Sequence, residues 1–65
     1  MDEIKKEKIE DWLNLTWYYA NMKDAAGVPY NYSTMGEYKG ARKILDLLGI
    51  ICVQNNDGTH KIITR

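Results

Sequence analysis

LLGIICVQNNDGTHKIITR, residues 47–65, decides the fold. A helix ends in Leu47 and Leu48, and Gly49 stops it, because glycine takes the left-handed backbone conformation without a Cβ clash. Two β-branched runs, IICVQ and THKIIT, then flank NNDG, and Asp-Gly tolerates the positive φ of a tight turn. This is a hairpin over residues 50–64. A two-residue turn at Asp57-Gly58 pairs Val53 with Ile62 and Cys52 with Ile63. A three-residue turn with a bulge at Gly58 shifts the pairing by one. Either Ile51 and Ile63 or Ile50 and Ile62 then close the core.

Upstream, TMGEYKGARKILDLLG has helical period, and a second helix is predicted over residues 34–48. Thr34 followed by Glu37 has the form of a capping box. Tyr38, Ala41, Ile44, Leu45 and Leu48 make its buried face. Ile50 lies where a Schellman-type stop packs it on Leu45. Before this helix, GVPYNYS reads as a loop. In it Tyr30 and Tyr32 alternate with polar residues and would suit a short edge strand against the hairpin.

The first helix is long. Ile9, Trp12, Leu13, Thr16, Tyr19 and Ala20 recur at spacings of three and four, with Trp17 widening that face. Asp2 caps the start, and Gly27 with Pro29 forbids continuation. The period reads as one long helix; the alternative is a break near Asn14, a poor helix former, giving three helices rather than two. Leu15, Tyr18, Met22 and Ala26 form a second apolar strip. Aromatic side chains wrapping the other elements account for it in one reading. A homodimer or partner interface at Leu15, Trp17, Tyr18 and Met22 accounts for it in the other, since Tyr and Trp are enriched at interfaces.

Sixty-five residues make one domain, 1–65. A chain this short buries only about 60% of its unfolded surface, and its core supplies no more than roughly 3–5 kcal/mol. The composition, 45% hydrophobic and 28% charged, excludes intrinsic disorder. No stretch reads as a signal peptide or membrane span. The lone Cys52 suits a reducing interior as a small buried hydrophobe, so a cytoplasmic location is expected.

Net charge is zero. Residues 1–26 hold four lysines against six acids, and residues 27–65 hold five bases against three acids. The second half is the more basic. No catalytic constellation accompanies the single histidine, His60, which reads as a solvated strand residue. Cys52 and His60 alone make no zinc site. The chain is not expected to be an enzyme, nor to need a metal, cofactor or small-molecule substrate. The alternating carboxylates and lysines of the first helix read as a solvated face with pairs three or four apart.

YSTMGEYKGARKILDLLGIICVQNNDGTHKIITR resembles the recognition helix and wing of a winged helix-turn-helix domain. The resemblance covers about half the chain: a small polar cap, an amphipathic helix ending in Leu-x-x-Gly-Ile, and a hairpin with a polar, glycine-containing tip. GEYKGARKILDLLGI is similar to the small winged-helix domain at the C-terminus of bacterial DNA translocases. The resemblance implies a small α+β, winged-helix-like domain. It also implies DNA contacts from Lys39, Arg42 and Lys43 on the helix and from His60 and Lys61 on the wing. Two departures stand against it: winged helices usually carry three helices, and their DNA binders tend to be basic.

Two functions follow. One is a dimeric regulator of transcription binding double-stranded DNA, of the size found in phages and other mobile elements. There Gly40 would let a nucleic-acid backbone approach the helix. The other is a protein-interaction module, a phage or host factor that docks on or inhibits another protein through the aromatic face of helix one.

Overall fold

A computed structural model describes residues 2–29 and 31–63. Helix α1 (Glu3–Ala20) opens where the sequence predicts: the Asp2 carboxylate accepts the Lys5 N–H at 2.8 Å. It does not break at Asn14. It ends well before Gly27, because Asn21 turns back and donates its side-chain amide to the Trp17 carbonyl at 2.8 Å. Asp24 then draws the chain into a loop by accepting the Ala26 and Val28 N–H groups, both at 2.9 Å. Gly27, at φ 81°, turns that loop rather than stopping the helix. Pro29 bridges Lys23, not the hairpin. Of the edge strand expected around Tyr30 and Tyr32, Tyr32 instead begins a helix and Tyr30 lies outside the described residues.

Helix α2 (Tyr32–Leu47) starts two residues earlier than the 34–48 expected. Thr34 and Glu37 are already helical and make no capping box. The N-cap is Asn31, whose amide does not cap α2 but donates to the Tyr19 carbonyl at 3.0 Å. That bond ties the start of α2 to the end of α1, so the helices run antiparallel. The other end behaves as the sequence requires. Gly49 sits at φ 74°, Ile50 N–H donates to Leu45 O at 2.9 Å, and Gly49 N–H donates to Asp46 O at 3.0 Å. These are the two bonds of a Schellman stop, and Ile50 packs against the cluster that holds Leu45.

Strands β1 (Ile51–Gln54) and β2 (His60–Ile63) pair antiparallel, with Cys52 opposite Ile62 and Val53 opposite Lys61. Of the two registers open to the sequence, this is the one with the three-residue turn. Asn55 N–H donates to Thr59 O at 2.8 Å, and Gly58, at φ 89°, forms the bulge. Asp57 secures the turn by accepting both the Thr59 N–H at 2.9 Å and its hydroxyl at 2.6 Å. Thr64, the last residue of the expected hairpin, lies outside the described residues.

The architecture is therefore α+β, with the hairpin laid on one side of an antiparallel helix pair. Leu13, Tyr38 and Leu45 form the core cluster, and Ile62 is fully buried beside it. Ile50 and Ile62 close the core, while Ile51 and Ile63 lie on the sheet's outer face. Two residues expected in the core are not there. Ile44 is 59% exposed and Leu48 is 68% exposed. Trp12 and Tyr19 are likewise nearly half exposed. The cause is one-sided cover: the hairpin packs over the flank of α1 that carries Glu10, Asn14 and Trp17. On the flank that carries Trp12, the described residues leave an open groove between α1 and α2.

Candidate functional site

The interior holds one polar junction that joins α1, α2 and β2. Its members are Asn14, Tyr38, Arg42 and His60. His60, expected in solvent, is only 5% exposed. Asn14 Oδ1 accepts the His60 backbone N–H at 2.7 Å and faces His60 Nδ1 at 2.9 Å. An oxygen that already accepts one N–H can only accept from the ring, so Nδ1 carries the proton and Nε2 is bare. Tyr38 then donates its hydroxyl to Nε2 at 2.6 Å, and the hydroxyl oxygen accepts from Arg42 at 2.8 Å. Every donor in this chain of bonds points the same way, from Arg42 through Tyr38 and His60 to Asn14.

Arg42 is committed twice. Its second terminal nitrogen donates to the Cys52 carbonyl at 3.2 Å, on the outer edge of β1. Glu10 performs the matching task for β2, its carboxylate accepting the Ile62 N–H at 2.7 Å. Both edge amides of β2 thus end on α1 side chains four residues apart, one turn of helix. Burial pushes the His60 pKa down, and the nearby Arg42 charge adds to the shift. Burial likewise raises that of the Cys52 thiol, partly opposed by Arg42. No buried side-chain polar atom among the described residues lacks a partner. The buried polar atoms of the junction are therefore all partnered.

The five residues expected to contact DNA divide into two groups. Lys39, Lys43 and Lys61 are exposed. Arg42 and His60 come together through Tyr38: His60 is buried, and half-buried Arg42 spends a bond from each terminal nitrogen on Tyr38 and Cys52. Gly36 and Gly40 face open space, so the outward backbone of α2 is bare between its lysines. Among the described residues, no three His, Cys, Asp or Glu side chains gather to hold a metal ion. No described helix is long and apolar enough to cross a membrane.

The four expected interface residues divide as well. Leu15, Tyr18 and Met22 point outward, with Tyr18 64% exposed and stacked edge-on against Tyr19. Trp17 turns inward. Its ring lies 5.0 Å from that of Tyr38, and its indole edge lies 3.4 Å from the position a Cβ would take at Gly58. It wedges the hairpin tip onto α1.

Sequence reasoning overlooked Glu10, Asn14 and the Tyr38 hydroxyl as a set. The one available signal was Asn14 itself, a polar amide amid apolar neighbours inside a helix. Comparison with protein-family models, curated proteins and solved structures finds no match for the chain.

Proposed function

We propose that the protein is a protein-interaction module whose docking surface is the outward strip of α1. One observation carries the reading. Between Trp12 and Ala20, α1 bears apolar side chains around its whole circumference, yet the hairpin and α2 cover only part of it. A helix apolar on all sides is one meant to be covered on all sides. Tyr and Trp give such a surface large contact area at small entropic cost. Leu15, Tyr18 and Met22 are its centre. A photo-crosslinking side chain placed at Tyr18 in the source cell tests this, with the same probe at Lys39 as reference. A discrete protein adduct at position 18, lost with Leu15→Ala and Met22→Ala, is the expected result. Adducts to nucleic acid from position 39, with none from position 18, would overturn it.

A second reading is DNA binding by a winged-helix-like module. Two helices followed by an antiparallel hairpin are compatible with that layout, although α1 is unbroken where such domains usually carry two helices. The observations favouring it are the exposure of Lys39, Lys43 and Lys61 and the bare backbone of α2 at Gly36 and Gly40. Arg42 and His60 would then act by holding α2 and the hairpin together. Binding to a mixed-sequence duplex that weakens steeply between about 50 and 200 mM salt is the expected signature. Lys39→Ala and Lys43→Ala would each reduce the salt slope by about one unit.

A further inference from the structure

We infer that Asp57-Gly58 is a site of spontaneous backbone isomerisation, held unreactive by the folded hairpin turn and released when that turn comes apart. Of all the Asp and Asn residues in the chain, Asp57 alone is followed by glycine. The nitrogen after an aspartate lies within reach of its side-chain carbon, and a residue without a side chain leaves that nitrogen unhindered. The turn itself needs glycine at 58, where φ is 89°. Fold and reaction thus demand the same residue. Asp57 is exposed at the hairpin tip, open to solvent.

The reaction balances with water alone. The Gly58 nitrogen attacks Cγ of Asp57 in its neutral acid form. A C–N bond forms and a C–O bond breaks, and the departing hydroxyl leaves as water with the proton that the nitrogen gives up. The product is a succinimide ring. Water then adds to one of its two carbonyls. Addition at Cγ restores aspartate. Addition at the backbone carbonyl yields isoaspartate, of unchanged mass, with the main chain now running through Cγ.

Three features of the turn oppose the attack. Gly58 N–H donates to Asn55 O at 3.0 Å, so the proton that must leave is bonded. Oδ1 of Asp57 accepts the Thr59 hydroxyl at 2.6 Å and the Thr59 N–H at 2.9 Å, which aims the carboxyl one residue beyond the nitrogen it would join. The same two bonds, the hydroxyl's first, hold the Asp57 carboxyl below its usual pKa, so the reactive neutral acid is scarcer. The Trp17 indole, 3.4 Å from where a Gly58 Cβ would stand, seats the turn on α1. Isoaspartate lengthens the main chain by one methylene. The turn, whose backbone bonds join Asn55 to Gly58 and Thr59, is not built for that length. A hairpin that has opened and reacted does not close again as it was.

The test ages the full chain at neutral pH and measures isoaspartate at position 57 by electron-transfer fragmentation, which separates the two isomers. Circular dichroism confirms folding. The folded chain should isomerise at least about tenfold more slowly than the same chain unfolded in urea, since its reactive form is reached only through opening. Thr59→Val, at an exposed position, keeps the fold and raises the folded rate by roughly tenfold, the weight of one hydrogen bond to a charged group. Thr59→Ser retains the hydroxyl and stays slow. Equal rates in the folded and unfolded parent overturn the inference. So does a folded Thr59→Val chain that reacts no faster than the parent, or a Thr59→Ser chain that reacts as fast as Thr59→Val.

Discussion

Leu13 and Leu15 lie two residues apart on the same helix, and they live in different worlds. Leu13 is fully buried beneath α2 and the hairpin, whereas Leu15 is 55% exposed. Around Leu13, α1 is bound by specific polar contacts as well as by packing: Glu10 and Asn14 hold β2, and Trp17 holds the turn. Around Leu15, at Tyr18 and Met22, the side chains are equally apolar but make no such polar contact among the described residues. Apolarity alone therefore says that a helix face will be covered, and the polar residues threaded through it say by what. On the inner face the amides of β2 answer Glu10 and Asn14. On the outer face no such partner is found among the described residues.

The sharpest way to break the comparison is alanine at each of the two leucines. Leu13→Ala removes a fully buried side chain and should cost about 2–5 kcal/mol, enough to unfold most of a core this small. A cooperative urea transition close to that of the parent would show the inner face to be less essential than its burial indicates. Asn14→Ala comes next. It leaves the His60 N–H and ring nitrogen without an acceptor, at about 1–3 kcal/mol for each group stranded. A double-mutant cycle with His60→Ala should give a clear coupling energy, whereas additive losses would mean the two do not act together.

The junction also has a pH signature. The His60 pKa is depressed in the folded state, so the unfolded chain binds the proton more readily. Stability is complete above the unfolded value near 6.5 and is lost as pH falls below it toward the folded value. Tyr38 and Arg42 oppose a second ring proton, one by donating to Nε2 and the other by its charge. Asp57, whose pKa is lowered by the Thr59 hydroxyl and N–H, adds a loss only below about 3.8. Urea midpoints at pH 7.5 and 5 should fall for the parent, and their difference should shrink in His60→Gln. Equal shrinkage in Asp57→Asn would assign the effect wrongly.

Gly58→Ala should cost about 1–2 kcal/mol, since a Cβ in the left-handed region is strained and this one would meet the Trp17 ring at 3.4 Å. Gly40→Ala, in open space within α2, serves as the control and should stabilise by up to about 1 kcal/mol. The smallest effect belongs to Leu15→Ala, within about 0.5 kcal/mol of the parent in an isolated monomer. A large loss there would mean that the outer face is already covered at the concentration used.

Local chemistry was legible in the sequence. The Asp2 cap, the Gly49 stop with Ile50 folded back on Leu45, and the Asn-Asn-Asp-Gly turn each depend on residues within a few positions. Each stands where the sequence places it. The hairpin register was narrowed to two, and the Asp57–Thr59 bonds decide between them. Competition among local signals was not legible. Gly27 offered a helix stop, but Asn21 and Asp24 acted first. Thr34 offered a cap, but the helix starts earlier, at Asn31, whose side chain bonds Tyr19 instead of capping. Long-range partners were least legible of all. Asn14 reads as a helix breaker until β2 is known to need an acceptor there, and His60 reads as solvated until Asn14 and Tyr38 are known to enclose it. The basic patch suffered from the same blindness: Arg42 and His60 carry the right chemistry for a phosphate, but their neighbours bind them first.

Asn14 and His60 are 46 positions apart, and Glu10 and Ile62 are 52 apart. During synthesis α1 is made well before the strand that satisfies its inner face. The helix's C-terminal half, the apolar stretch from Trp12 to Ala20, must wait until β2 has cleared the exit tunnel. Its interval of greatest exposure is thus set by the translation of the hairpin rather than by its own folding rate. A pause in translation anywhere after α1 would lengthen that interval, and a chaperone that holds apolar helices would find its substrate there.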